Sequence, residues 1–526
     1  MNKLPSSIFN DVLGPIMRGP SSSHVAGASR IAELIRQSAG GAVARVVCDF
    51  DVNGSLAESH DGHGTDMGFV SGIIGLPVTD PSVADYLSLA EKAGVEGEFR
   101  SLDYGAEQPN HYRMEVFTKD GNAHKWDAIS VGGGMVELIG YDGFKISIAG
   151  DFYELLVTAD TAVISLEELS HFIAAQFCTP DFVLTDVKEG RGLLQVKFAA
   201  EPSCEAIDRL RAVSGITGVI SLSPILPTHS RANCTVPFLS AAELLEYARS
   251  KDKELWELAV LYESTRGGCS EAEVFEKMTK LVSIMENCIA EGLKGTEYRD
   301  RILGRQSHLI EEGERGKKLT PCPLLNRVIK YITAVMEVKS SMGVIVAAPT
   351  AGSCGCLPGT IIGADHDMGL PQKEITKAMF AAGIVGVFIS ESATFAAEVA
   401  GCQVECGAGS GMAAAGVAQL MGGTAEECLD AASIALQNVT GLACDPVANR
   451  VEVPCLGKNI MGGSNAISSA NMALAGYDKV IPLDQTIAAM YDIGLKLPLE
   501  LRCTFGGLGK TPASLSIRKK LEEQVR

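Results

Sequence analysis

The sequence predicts a multidomain α+β chain. An N-terminal α/β domain spans 1–144, a ferredoxin-like domain 145–227, a linker 228–238 and an all-α domain 239–526. Three observations carry this. Strand and helix signals mix up to about Gly143. Residues 145–227 then run β-α-β-β-α-β, the ferredoxin-like order. Beyond Ser240, apolar residues recur at i, i+3 and i+4 almost to the end.

In the first block, one of Ser21, Ser22 and Ser23 in GPSSSH caps a helix over Ala26–Gln37. ARVVCDFDV alternates as a strand and turns at Asn53-Gly54. GHGTD is a glycine-rich turn feeding a helix from Thr65 or Asp66. Strands follow at Tyr112–Thr118 and Lys125–Val131, before a break at Gly132–Gly134. In the second block, strands fall at Tyr153–Ala159, Phe182–Val187, Leu193–Phe198 and Gly218–Leu222, with helices at Leu166–Phe177 and Cys204–Val213. The linker lies in PILPTHSRANCTVP, which is rich in proline and polar residues and has no period. Ser240, Asp252 and Ser270 are the expected caps of the helices that follow. The later helices, such as GMAAAGVAQLMGG, are small and apolar all round, so they belong at the centre of the helical domain.

Bulk properties exclude several classes. A net charge of −19 argues against a nucleic-acid surface, which needs a basic patch. No apolar h-region opens the chain, and the apolar run Ala378–Ser390 is too short to cross a bilayer. A cytoplasmic protein without a membrane partner is expected. Fifteen cysteines in such a chain are not a disulfide framework, and most read as buried apolar residues.

Three cysteines stand in turn-rich phrases: Cys402 in GCQVECGAGSG, Cys444 in GLACDPVANR and Cys455 in VPCLGKN. Taken singly, each reads as a structural thiol. Their spacings are far from the short Cys-x-x-Cys rhythm of zinc ribbons and bacterial ferredoxins. His24 and His63 follow glycine-rich turns at helix starts, where an imidazole and free N–H groups can face an anion together. His60, His111, His124 and His366 have no such context. Thr350, Gly352 and Ser353, in AAPTAGSCGC, would offer backbone N–H groups and hydroxyls to a carboxylate. GAGSG lacks the strand and acidic residue of a dinucleotide loop and reads as close helix packing.

These phrases, with GPSSSH, GHGTD and the GGSNAI run, resemble the iron–sulfur-dependent L-serine dehydratases, with beta and alpha parts fused in one chain. The resemblance implies a 4Fe–4S cluster on Cys402, Cys444 and Cys455, with one iron left open as a Lewis acid. It places His24 and His63 at the active site as acid–base candidates, without deciding which is the base. Ser21–Ser23 and Thr350–Ser353 would hold substrate. It labels the middle domain ACT-like, either regulatory or structural, and a homodimer is expected. Cys354 and Cys356 depart from the family pattern, and Cys406 and Cys503 read as non-ligands. The implied reaction is L-serine to pyruvate and ammonia. Elimination from threonine or cysteine, or a silent amino-acid sensor on the same scaffold, are the alternatives. A pyridoxal-phosphate enzyme is disfavoured, since no lysine phrase precedes a glycine-rich phosphate loop.

Overall fold

The structure is a computed structural model describing residues 4–249, 251 and 253–525, of mixed α+β type with a helical C-terminal half. Its first sheet has six strands. In spatial order they are Glu96–Leu102, Val43–Asp51, His111–Thr118, Ala123–Gly132, Met135–Tyr141 and Phe144–Ile148. The first pair is parallel and the rest antiparallel. Alternation explains its faces: Tyr112, Met114 and Val116 point inward, joined by Trp126, Ala128 and Leu138 from neighbouring strands. Helices Gly27–Ser38 and Thr65–Ile73 cover that face through Ile31, Leu34 and Phe69.

The second sheet is antiparallel throughout, in the order Ile216–Leu222, Tyr153–Asp160, Arg191–Phe198, Phe182–Lys188. With helices Leu166–Gln176 and Cys204–Arg211, its elements follow the chain order β-α-β-β-α-β. Leu155, Val157, Leu169, Val196 and Leu210 fill the core between sheet and helices. The two sheets are tied at Gln195, whose amide accepts from Ser147 N–H at 3.0 Å and donates to Ser147 C=O at 2.7 Å.

The C-terminal half packs helices around Cys406–Leu420, buried along almost its whole length. Gln372–Ser392, Ala425–Gln437 and Cys455–Leu474 surround it. The GAGSG run lies inside this helix, as the packing reading expects. Gln372–Ser392 is longer than the apolar run read from the sequence, and by length and composition could cross a membrane. Here 78% of its apolar window is buried in the protein. Ser240 and Ser270 cap their helices. Asp252 lies outside the described residues, and Glu254 closes a capping box with Glu257 ahead of Leu255–Gly267.

The N-terminal segment holds the parts together. Glu263 accepts from Ser7 Oγ at 2.5 Å and from Ile8 N–H at 2.8 Å. Ile16–Met17 pairs antiparallel with Ile345–Val346. Asn10 exchanges two hydrogen bonds with the Thr228 backbone, so the irregular run before the helices is buried at Thr228 and Ser230. This seam lays GPSSSH against the Thr350–Ser353 loop, where Ser22 Oγ accepts from Ala351 N–H at 3.2 Å.

Candidate active site

Each cysteine sits at a break in helical structure. Cys402 opens a single turn between helices Ala397–Ala400 and Cys406–Leu420. Cys444 lies in a loop held by Arg502 and Cys503: its N–H donates to Leu501 C=O at 2.8 Å, and its C=O accepts from Cys503 N–H at 2.9 Å. Cys455 begins Cys455–Leu474 directly after Pro454. None of the three is held in the middle of a packed helix: Cys402 and Cys455 open helical turns and Cys444 lies in a loop.

The structure brings Cys402, Cys406, Cys444 and Cys503 into one buried cluster. Cys402 Sγ stands 3.9 Å from Cys406 Sγ and 3.7 Å from Glu405 Oε2. The ligand atoms of Cys402, Glu405 and Cys444 all lie within 4.8 Å of one another. Cys455 belongs to the adjoining apolar cluster, with Cys354 and Val451, and interacts electrostatically with Cys402. All fifteen cysteines are free thiols. Hydrogen bonds from Cys406 and Cys444 hold the Cys402 thiol well below its ordinary pKa against the effect of burial, and the Lys458 ammonium adds to this. Donation to Cys402 raises Cys444. Burial, then the charge at Cys402, raises Cys455. Burial pushes Cys354 and Cys356 up to about 12, as expected of thiols committed to packing. A buried set of thiol donors suits a soft metal or an iron–sulfur group rather than a hard cation. The nearby carboxyl of Glu405 is held well above its usual range by burial and then by the Cys402 charge.

Asn459 joins this cluster to the substrate loop. Its amide donates to Gly352 C=O and Cys455 C=O, each at 2.8 Å, and accepts from Cys356 N–H at 2.9 Å. Thr350 and Ser353 are buried and bonded to each other at 3.2 Å, so their hydroxyls largely serve the loop itself. Ser21 caps its turn and bonds His24, Ser22 holds the loop through Ala351, and the Ser23 C=O accepts from Ser130.

The two histidines meet with ring centroids 4.7 Å apart, and both are about 1% exposed. Their environments differ. His24 Nδ1 lies 2.9 Å from Ser21 Oγ and Nε2 lies 2.8 Å from Ser59 Oγ. Ser59 gives its own hydroxyl proton to Ser55 C=O, so Nε2 of His24 donates and Nδ1 accepts. Burial, followed by the charge of His60, lowers His24 to about 3. Neither ring nitrogen of His63 has a partner among the described residues. Burial, then His24, Arg450 and Lys339, holds His63 well below its ordinary value, so it is a neutral imidazole. His60 is paired with Asp66 at 2.7 Å.

Three charged residues were not assigned a role from the sequence. Glu398 Oε1 lies 3.8 Å from His24 Nδ1, while Oε2 is buried and without a partner among the described residues. Burial pushes its pKa above the usual carboxylate range. Arg450 bonds Asp300 at 3.0 Å but leaves Nε buried and unpartnered among the described residues. Lys339 is fully buried and donates to Val451 C=O. A sequence signal did exist: Glu398 and Lys339 interrupt runs of apolar and small residues, where a charge is rarely buried without a partner.

Comparison with known proteins matches residues 243–508 to the family model for the serine dehydratase alpha chain. A "Probable L-serine dehydratase, alpha chain" from Bacillus subtilis is 36% identical over 285 residues, 54% of this chain and 95% of the relative. The "L-serine dehydratase, alpha chain" of Peptoniphilus asaccharolyticus is 34% identical, covering 53% of this chain and 97% of its own length. "L-serine dehydratase 1" of Escherichia coli strain K12 is 34% identical over 52% of this chain and 61% of the relative. The matched span contains all three cysteine phrases and most of the helical half, and with that agreement the chain belongs to the serine dehydratase alpha-chain family.

Proposed function

We propose that this chain is an L-serine dehydratase that eliminates water from L-serine to give pyruvate and ammonia, using an iron–sulfur cluster on Cys402, Cys444 and Cys455. The observation that carries the reading is the meeting of buried, unpartnered polar atoms beside a thiol cluster: both ring nitrogens of His63, Glu398 Oε2 and Arg450 Nε. Unpaired polar atoms in a protein interior are costly, and a site that keeps several together is one whose ligand completes them. When bound, the cluster supplies a Lewis-acidic metal that draws the hydroxyl from Cβ.

The chain's own groups do the rest. Glu398 receives the substrate ammonium, and Arg450 with Lys339 receives the carboxylate, helped by the Ser21–Ser23 turn and the Thr350–Ser353 loop. Neutral His63 takes the α-proton. This favours it over His24, whose two nitrogens are already engaged by Ser21 and Ser59. His24 orients its neighbour and separates it from Glu398. The Cα–H and Cβ–O bonds break, 2-aminoacrylate and water form, and the enamine tautomerises and hydrolyses to pyruvate and ammonia. Positive groups at the carboxylate offset the charge that develops as the α-proton leaves. The ACT-like role of the middle sheet and the domain boundaries at 144, 227 and 238 are part of the same proposal.

Product analysis on anaerobically purified protein, offered L-serine, L-threonine and L-cysteine separately, tests the substrate. Pyruvate and ammonia from L-serine at the highest kcat/KM support the reading. Preferential release of 2-oxobutyrate or of sulfide overturns it.

A further inference from the structure

Two cavities lie away from the Cys402 cluster and the His24–His63 pair. One of them, about 530 Å³, is bounded by three parts of the molecule at once: the N-terminal segment, the two sheets and the helical half. This is ample for a metabolite of amino-acid size. Its apolar wall includes Met135, Val136, Phe152, Phe182, Leu226 and Phe395.

The charged wall is more informative. Glu137 accepts from Ser147 Oγ at 2.7 Å. Arg266 is consumed by Pro5 C=O, His229 C=O and Ser230 Oγ. Asp11 accepts from Ser7 N–H at 2.8 Å. Asp151 differs. It lines the cavity, is only 9% exposed, and its carboxylate meets no donor among the described residues. On the neighbouring strand of the same sheet, Lys197 also lines the cavity and gives one of its three protons to Glu154 at 2.7 Å, which leaves donors for another anion. A carboxylate and a lysine with donors to spare, set near each other on one sheet and surrounded by a mostly apolar wall, describe the complement of a zwitterion with an apolar side chain.

We infer that this cavity binds an apolar α-amino acid, its ammonium on Asp151, its carboxylate on Lys197 and its side chain among Phe152, Phe182 and Phe395. This ligand is not the hydroxylated substrate of the proposed reaction. The site also adjoins the joint between Gln372–Ser392 and Ala397–Ala400, the short helix that carries Glu398. Phe395 forms part of the wall, and a Cβ at Gly132 would meet Ala396 N at 2.6 Å, so the cavity's edge and this joint touch backbone to backbone. An occupant therefore bears on the segment leading to Glu398 and Cys402.

Isothermal titration of the full-length, anaerobically purified protein tests this, with L-leucine, L-valine and L-phenylalanine as probes. At least one should bind saturably at one site per chain. For L-leucine as the binder, 3-methylbutylamine, which lacks the carboxylate, and 4-methylpentanoate, which lacks the ammonium, should bind at least about tenfold more weakly. Asp151→Asn should weaken the amino acid by about tenfold or more, whereas His63→Ala should leave its affinity unchanged and so separate this site from the serine site. Amide exchange over residues 394–400 should slow on binding. No saturable heat from any probe up to about 10 mM, which puts any Kd above the millimolar range, overturns the inference. So does a folded Asp151→Asn protein that binds as tightly as the wild type. Should that variant misfold, Ala149→Leu, which intrudes from the cavity wall, must abolish binding instead.

Discussion

His63 is a buried imidazole with nothing to bond among the described residues, and leaving such a group unpaired costs about 1–3 kcal/mol. In the proposed reaction, substrate supplies its partner. His63→Ala should retain iron but lower kcat by about 10²–10⁴-fold, and unchanged kinetics would remove it from the mechanism. Glu398→Gln should raise KM for L-serine. Because burial holds Glu398 above the usual carboxylate range and only its ionised form attracts an ammonium, kcat/KM should rise as pH climbs through that raised value. The glutamine variant should lose this acidic limb; a pH profile identical to wild type contradicts the role. Cys444→Ser should lose iron and activity together, while Cys428→Ser, whose thiol is buried against Gly423 C=O, should keep both. The cysteine and histidine phrases were legible because turns and glycines set them apart from the helices around them. Glu398, Lys339 and Arg450 were not, because nothing in a local pattern says which charge the fold will bury. Nor could sequence distinguish His24 from His63, a difference made by Ser59, thirty-five residues along the chain from His24.

At the scale of elements, the histidines are positioned by two helices that cross closely. A Cβ at Gly68 of Thr65–Ile73 would meet Val25 C=O at 2.1 Å, next to His24. Backbone cannot yield as a flexible side chain does. Gly68→Ala should therefore destabilise the protein by about 1–3 kcal/mol and lower turnover through the displaced histidines, read by thermal melting and kinetics on the same sample. An unchanged melt would show that the crossing is looser than described. The β-α-β-β-α-β order was readable because the two central strands are short, nearly continuous buried runs, Phe182–Lys188 alternates, and each helix has a serine cap, Ser165 and Ser203. The strand Glu96–Leu102 was missed because, as an edge strand, it is half-buried at only two residues and shows no clean alternation. Met135–Tyr141 was missed because Gly132–Gly134 reads as a break, whereas it turns one strand into the next.

Across the whole molecule, the proposed acid–base residues come from one half and the sulfurs from the other, joined through Ser7–Glu263, Ile16–Val346 and Ser22–Ala351. The Bacillus subtilis alpha chain is covered over 95% of its length by the helical half's match, so that half corresponds to a polypeptide of its own elsewhere. Residues 239–526 produced alone should hold iron without turning over serine, and adding residues 1–238 should restore activity. Full activity in the fragment alone would put the base outside the N-terminal half. The most direct measurement is an anaerobic assay of pyruvate from L-serine, with iron and acid-labile sulfide quantified on the same full-length sample. A brown protein with about four irons per chain, whose activity falls in step with iron as air reaches it, is the predicted result. A colourless, iron-free protein that still makes pyruvate from serine would contradict it.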